Sequence, residues 1–467
     1  MRRALTLSLT EDQHKRLYGQ LFPGDGCEAI AFAFCRRRKV GDSYGLLVNE
    51  IVPVPTGSCR RTADSITWRT DFLPEILARA EKNSLSIIKI HSHPNGYESF
   101  SVTDNESDNT FFNYVGCWVP SGMPHANAIM FDDGRLIGRS FSQEEGFCPI
   151  SCIKVIGDDI RFWFHDNTEV INNPDGYGVR LAQTFGSKTY QLFKKLKIGV
   201  VGCSGTGSLV VEQLARNCIG HLVLVDPDKI EEKNLNRIPQ ATMTDATQNK
   251  YKVDVLVRHI ALMGFGTNVE CFADDLFNEK VVKALSTCDV LFGCMDTVDG
   301  RHTLNKLATT YLIPYFDVGV KLIADGMGGV DCVCGTVHYL KPGGSSLLSR
   351  GVYTQERLRA ESLKHTDPDA YNDHLGAGYI EGVDEDKPAV ISVNMLIAAL
   401  GVNELLARVI PYRNDSNSEY AIYRFSLNEG FLFHEPDGLP CDIFKKWVGL
   451  GDTHPLLGMP WLSRRNC

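Results

Sequence analysis

Residues 197–228 read KIGVVGCSGTGSLVVEQLARNCIGHLVLVDPD. An apolar run, Ile198 to Val201, meets a glycine turn holding Gly202, Gly205 and Gly207. A helical segment follows, and a second apolar run, Leu222 to Val225, ends at Asp226. Strand, glycine turn, helix and strand in that order predict a βαβ unit that binds a nucleotide. Glycines let the backbone approach phosphate, the helix N-terminus favours anions, and the acidic residue suits a ribose hydroxyl. The glycine pattern by itself would serve a dinucleotide equally well.

The residues further on decide against a dinucleotide. Asp226-Pro-Asp228 runs into Glu231-Glu-Lys-Asn234-Leu-Asn-Arg237, and Lys252 opens the next helix. A strand, Val290 to Cys294, leads to Asp296-Thr-Val-Asp299-Gly-Arg301. A dehydrogenase has no need of this array, whereas an enzyme handling a triphosphate does: cations neutralise phosphates and a carboxylate holds magnesium. The order resembles the ubiquitin-activating (ThiF/MoeB-like) adenylating family over roughly Arg180 to Arg408. The resemblance implies a Rossmann-like domain that joins a protein C-terminal carboxylate to the α-phosphate of ATP, with Mg2+ as cofactor. It places Gly205 and Gly207 in the phosphate loop that Gly202 opens. It puts Asp226 on the ribose with Asp228 beside it, and Asn234, Arg237 and Lys252 on the phosphates. Asp296 falls on magnesium. Arg180 matches an arginine that reaches into a partner subunit, which implies a homodimer. Ser204 stands where glycine is usual, Asp299 where asparagine is commoner, and Ile238 where glutamine is usual. Lys250 rivals Lys252, but the KVDVL that starts at Lys252 fits the family's helix better.

A second motif lies near the start of the chain. Residues 87–108 read IIKIHSHPNGYESFSVTDNESD. His91 and His93 end an apolar strand-like run, and alternate residues of a strand share a face, so both imidazoles reach one ion. Pro94 and Asn95-Gly96 start a loop that returns Ser101 and Asp104. Two histidines, one carboxylate and an open fourth position describe a catalytic zinc site. The spacing H-x-H-P-x6-S-x2-D resembles the JAMM (JAB/MPN+) metalloprotease motif. That family cleaves isopeptide or peptide bonds after ubiquitin-like proteins. By this resemblance His91, His93 and Asp104 bind zinc, Glu28 accepts a proton from the attacking water, and Ser101 helps to stabilise the oxyanion. Glu50 also borders an apolar run and is the alternative to Glu28.

The 467 residues allow two or three domains, with 43% hydrophobic and 22% charged residues as in an ordinary globular chain. A net charge of -9 argues against a general binder of nucleic acid or anionic membrane. The first residues turn charged at Glu11 before a signal-like apolar core forms, and fifteen scattered cysteines suit reduced cytoplasmic thiols. Ala389 to Ile410 is apolar but carries Asn394, Asn403 and Glu404, so it is expected to be a core helix. The expected architecture is α/β: a mixed α/β JAB/MPN domain at 1–166, then a ThiF-type adenylation domain at 175–467. The polar, turn-rich stretch 167–177 divides them. A crossover segment is expected at about 337–388.

Two features of the adenylating family are missing. The chain has no CxxC pair, so no structural zinc is expected in the second domain, and no cysteine lies between Cys334 and Cys441 to form a thioester in the crossover. The adenylate is then passed directly to a partner's nucleophile, or to a serine such as Ser345, Ser346 or Ser349, or to Cys332, Cys334 or Cys441. The combined reading is an enzyme that activates, and cleaves after, the tail of a ubiquitin-like protein ending in glycine. Such paired domains resemble those of bacterial conjugation operons, some tied to phage defence, which implies a conjugating-enzyme partner. The alternatives are processing and activation of a sulfur carrier for cofactor or cysteine synthesis, and a catalytically silent scaffold that binds a ubiquitin-like protein.

Overall fold

The computed structural model describes residues 4–119, 124–165, 176–325, 327, 329–367, 369, 371 and 389–463. The chain divides into two compact units, Met1–Glu169 with Val448–Asp452, and Val170–Trp447 with Thr453–Cys467. Most of the expected boundary at 167–177 lies outside the described residues.

The first unit begins with β1 (Ala4–Thr10), α1 (Glu11–Leu21), β2 (Ile30–Val40) and β3 (Ser43–Pro53). A small ribbon, β4 (Cys59–Arg61) with β5 (Ile66–Trp68), precedes α2 (Leu73–Lys82) and β6 (Ser86–His93). After α3 (Val102–Trp118) come β7 (His125–Phe131), β8 (Leu136–Ser142), β9 (Gly146–Pro149), β10 (Cys152–Ile156) and β11 (Ile160–Phe164). Nine strands form one sheet in the order β11-β10-β1-β3-β2-β6-β7-β8-β9. Strand parity sorts the two cores. Ala31, Ala33 and Cys35 of β2 pack with Leu17 and Leu21 of α1. Ile30, Phe32 and Phe34 pack with Leu77 of α2 and Phe112 of α3 on the other face. Each buried Leu or Phe contributes about 1.5–3 kcal/mol, so both helical layers hold the sheet from opposite sides.

The second unit begins with α4 (Val179–Phe185) and α5 (Ser187–Lys195). Gly186, at φ +87°, separates the two helices. The core then runs β12 (Lys197–Val201), α6 (Gly205–Arg216), β13 (His221–Val225), α7 (Met243–Thr247), α8 (Lys252–Met263), β14 (Asn268–Phe272), α9 (Glu279–Leu285) and β15 (Val290–Gly293). It continues through α10 (Val298–Thr310), β16 (Tyr315–Ala324), β17 (Val330–Leu340), α11 (Gln355–Thr366), α12 (Ile391–Val409), β18 (Ile422–Ser426) and β19 (Phe431–Glu435). The sheet order is β14-β13-β12-β15-β16-β17-β18-β19, parallel from β14 to β16 and antiparallel beyond. Strand order therefore reverses between β12 and β15, the switch point at which open α/β sheets bind ligands beyond their carboxyl ends.

Helix α12 meets the length and apolarity expected of a membrane span. It is a core helix here, packed on α6, β16 and β17, with Glu404 and Arg408 paired at 2.7 Å and almost wholly buried. A 3-10 turn, Asn417–Tyr420, leads into β18 at Ile422.

Two glycines hold the switch point closed. A β-carbon on Gly207 would fall 1.7 Å from the carbonyl oxygen of Gly202. Gly202 has φ +87°, and a β-carbon there would meet the Cys294 carbonyl at 2.8 Å. Gly207→Ala must therefore push α6 off β12, and we expect a loss of about 1–3 kcal/mol or more in chemical denaturation of the full chain. An unchanged denaturation midpoint would contradict this packing.

Candidate functional sites

The cluster in the first unit is built on parity. Lys89, His91 and His93 alternate along β6, and all three side chains are buried. Antiparallel pairing sets Ile30 opposite His91, so Glu28, two residues before Ile30, shares that face. The acidic partner comes from α3, a helix where the sequence predicts a loop. Ser101 caps α3: its Oγ accepts from the Asp104 amide at 3.1 Å, and its own amide donates to Asp104 Oδ2 at 2.8 Å. Asp104 thus sits in the first turn of α3, and Asp108 lies one turn on.

His91 Nε2 and His93 Nε2 lie 3.1 Å apart. Asp104 Oδ1 is 3.2 Å from His91 Nε2, and Oδ2 is 3.7 Å from His93 Nε2. His93 Nδ1 donates to the Tyr97 carbonyl at 2.7 Å, which leaves its Nε2 lone pair facing His91. Converging lone pairs beside a carboxylate suit a cation. Two imidazole ligands of a tetrahedral zinc lie about 3.3 Å apart, close to the separation here. Among the described residues His91, His93 and Asp104 form the one such group, and the donor set fits a divalent metal. Glu28 Oε1 stands 3.8 Å from His93 Nε2. Burial raises the Glu28 carboxyl to about 7, with the charge of His93 opposing and that of Asp104 adding. Burial lowers His91. Burial also opposes protonation of His93, but hydrogen bonds to Asp104 and Tyr97 outweigh it and its pKa rises. Burial would raise Asp104, yet its bonds to both histidines hold it well below the carboxylate range. Glu50, the alternative base, is instead half-exposed and paired with Arg79. Ser101 Oγ donates to Asp104 Oδ2 at 2.7 Å, so as placed the hydroxyl orients the carboxylate rather than an oxyanion.

Sequence reading passed over the support beneath this cluster. Lys89 Nζ pairs with Asp108 Oδ1 at 2.6 Å, with both side chains buried. Arg139 Nη2 reaches Asp108 Oδ2 at 2.9 Å, and Asn127 also bonds that oxygen. The signal was present as Lys89 two residues before His91, and as Asp108 four residues after Asp104.

In the second unit Gly202, Asp226 and Asp296 lie just past the carboxyl ends of β12, β13 and β15. Asp226 is buried; Oδ2 accepts from the Cys203 amide at 2.7 Å and Oδ1 from the Asp228 amide at 2.9 Å. Burial raises its pKa. Lys252 Nζ lies 2.7 Å from Asp228 Oδ2 and 3.8 Å from Asp226 Oδ1, whereas Lys250 is exposed. Arg237 donates to the Lys233 carbonyl at 2.7 Å and flanks Gly205, where an added β-carbon would come within 3.0 Å of its Cδ. Asn234 is buried, and its Oδ1 accepts from the Glu231 amide at 3.0 Å, so it shapes the turn. Asp296 is exposed just beyond β15. Arg301, whose pKa rises mainly through the charge of Asp317, donates to the Met295 carbonyl at 3.0 Å and braces that loop. Arg180 is exposed on α4 and bonded to Gln183 at 3.3 Å. Asn394 on α12 is legible in the sequence only as a polar break in an apolar segment. It is buried beside Gly205, and its Oδ1 has no hydrogen-bond partner among the described residues.

The crossover begins later than expected, because β17 extends to Leu340. Residues 368, 370 and 372–388 of it lie outside the described residues. Its serines are committed: Ser345 Oγ bonds Asp437 and accepts from Arg350 Nε at 2.7 Å, and Ser346 and Ser349 cap one another. Cys332 and Cys334 lie on β17 with sulfurs 3.4 Å apart, and Cys441 is buried. A 710 Å³ cavity beside this segment is lined in part by Ser345, Ser349, Arg350 and Cys441 and excludes the nucleotide residues.

The glycine turn at a switch point, the buried acid after the second strand and the lysine aimed at it define a Rossmann-like nucleotide-binding unit. The ThiF family model matches residues 177–437, more than half the chain, and the protein belongs to that family. It is 24% identical over 193 residues to ubiquitin-like modifier-activating enzyme 5 of Drosophila pseudoobscura pseudoobscura, spanning 38% of this chain and 46% of that protein. It is 26% identical over 195 residues to the protein of the same name from Culex quinquefasciatus, spanning 38% and 45%. The chain thus spans less than half the length of these curated relatives. Among solved structures, Escherichia coli MccB with ATP shares 17% identity at a TM-score of 0.44, covering 58% of this chain and 75% of that one. Microcin C7 biosynthetic enzyme MccB in complex with N-formylated MccA shares 14% at 0.45, covering 89% and 99%.

The pKa of Glu28 makes a testable difference. A carboxyl raised from 4.5 to about 7 holds a proton in the folded state that the unfolded chain releases. Its contribution to stability is complete below 4.5 and is lost as pH rises through 7. For chelator-treated protein we expect Glu28→Gln to flatten the fall in stability across this window, by no more than about 3 kcal/mol. Parallel stability-pH curves for the two proteins would refute the assignment.

Proposed function

We propose that the protein is a two-centre enzyme acting on the C-terminal tail of a ubiquitin-like protein ending in glycine. The second unit adenylates that tail with ATP, and the first cleaves after it. Membership of the ThiF family and the names of the curated relatives support adenylation. The convergence of His91, His93, Asp104 and Glu28 is the observation that carries the hydrolytic centre, and it does so through geometry alone.

At the nucleotide centre, the amides at the start of α6 and the cations Arg237 and Lys252 receive the phosphates, while Asp226 receives the ribose. The tail carboxylate attacks the α-phosphorus, pyrophosphate leaves, and an acyl-adenylate results. Asp296 would hold magnesium, which shields phosphate charge when bound. Lys252 is held by Asp228 and Asp226 until triphosphate arrives, so it is positioned in advance.

At the other centre, His91, His93 and Asp104 would hold zinc, which polarises the scissile carbonyl and makes water a nucleophile near neutral pH. Glu28, raised to about 7, is matched to take that water's proton and pass it to the leaving amine. This reading makes the enzyme either a trimmer of precursors or a deconjugase. It implies a conjugating-enzyme partner and a cytoplasmic, bacterial setting such as a modification or antiphage operon. Dimerisation through the second unit would bring Arg180 to a neighbour's centre. The committed serines of the crossover favour direct passage of the adenylate to a partner's nucleophile over an oxyester on this chain.

We expect Asp296→Ala to lower carrier-dependent ATP–pyrophosphate exchange about 100-fold or more. Exchange that is unaffected by this change would rule out the assigned role. Zinc analysis of the purified chain is expected to find bound metal that His93→Ala loses. Glu28→Gln should keep the metal and lose about 100- to 10,000-fold in cleavage rate of a fusion after the carrier's terminal glycine. A metal-free parent, or full activity in Glu28→Gln, would end the hydrolytic reading.

A further inference from the structure

The crossover reaches along one face of α10 through three polar contacts. The Leu347 amide donates to Asn305 Oδ1 at 3.2 Å, Tyr353 OH meets His302 Nδ1 at 3.0 Å, and Glu361 of α11 meets the first turn. Glu361 Oε2 accepts from the Val298 amide at 2.7 Å and from the Asp299 amide at 3.2 Å. These amides open a helix of 13 residues, two and three positions after Asp296. Glu361 is 3% exposed. Its other oxygen, Oε1, accepts no hydrogen bond, although Arg357 Nε stands 3.4 Å away. Glu361 is thus a buried carboxylate whose second oxygen is held only by a 3.4 Å ion pair to the largely exposed side chain of Arg357, a weaker arrangement than a fully hydrogen-bonded cap. Asp299, at the second helical position, already lends its own Oδ1 to the Gly300 amide.

We propose that the Val298 and Asp299 amides are the subsite for the terminal carboxylate of the substrate tail, and that Glu361 fills this subsite until the tail arrives. The chemistry matches group for group. A tail ending in glycine presents a carboxylate with no side chain at its terminus, as Glu361 presents one at the end of a flexible stem. The helix N-terminus favours a negative charge in either case. The place is beside Asp296, where the carboxylate must lie to reach the α-phosphorus. Displaced, Glu361 releases α11 from α10, so arrival of the tail is coupled to movement of the crossover. The subsite rests on the adenylation reading above for its purpose, but not for its occupancy.

The test uses the full chain, its Glu361→Ala and Glu361→Gln variants, and the probe acetyl-Gly-Gly, with the C-terminal amide of that dipeptide as control. In Glu361→Ala the amides of Val298 and Asp299 should exchange hydrogen faster than in the parent, and acetyl-Gly-Gly, but not its amide, should restore protection. Titration should give acetyl-Gly-Gly an affinity at least about threefold higher in both variants than in the parent, since a competitor that fills the subsite most of the time has been removed or weakened. Glu361→Gln keeps an accepting oxygen and the packing, so it serves where Glu361→Ala fails to fold. Equal or weaker affinity in the variants, or no renewed protection, overturns the proposal and leaves Glu361 a cap only. ATP affinity measured on the same samples reports the adenylation reading separately. Protection by the dipeptide without ATP binding would sink that reading and leave the subsite standing.

Discussion

Gly207 has no room for a β-carbon, and the nucleotide centre depends on that lack. Its Cα rests on the Gly202 carbonyl at the end of β12, which draws the first turn of α6 down onto the strand. The α6 amides then face the same side as the end of β13, where Asp226 ties the glycine turn to the next loop through the Cys203 and Asp228 amides. Gly202 in turn lies against the Cys294 carbonyl, so the β15 loop that carries Asp296 is packed to the same point. Two close backbone contacts therefore hold together the N-terminal end of α6, the buried Asp226 and the loop that carries Asp296. A single methyl group at either glycine would separate them.

The first unit solves a comparable problem with charge. A strand whose neighbours Lys89, His91 and His93 all point inward is costly to bury unless each finds a partner. Helix α3 supplies both acids at helical spacing, Asp104 for the histidines and Asp108 for the lysine. The Ser101 cap starts α3 in the one register that turns both toward the sheet. Arg139 and Asn127 complete the bonds of Asp108, so the support beneath the histidines is a filled network rather than a lone ion pair.

The crossover is not a free loop in its described part. Arg350 bonds Ser345, Asp437, the Tyr339 carbonyl and the Ala421 carbonyl, and it is almost wholly withdrawn from solvent. That anchor turns a glycine- and serine-rich stretch into a fixed arm ending at α10. The hydroxyls of Ser346 and Ser349 accept from each other's backbone amides, which fixes this turn of the arm.

The sequence by itself determined the elements whose signals are local. Apolar runs bounded by glycine and acid marked β12, α6 and β13, and the histidine spacing implied a shared face. The choice of Glu28 over Glu50, and of Lys252 over Lys250, could be argued but not closed, because residues of like charge beside an element boundary look alike in one dimension. Pairing across the sheet and burial separate them: Glu28 faces His93 while Glu50 faces Arg79. Helix α3 was missed because Asn95-Gly96 and a polar run mask its start, and only the Ser101 cap reveals it. Lys89, Asp108, Asn394 and Glu361 acquire meaning only from partners far along the chain. A local pattern records periodicity and turn chemistry, but which buried charges meet is decided when sheet and helices close on one another.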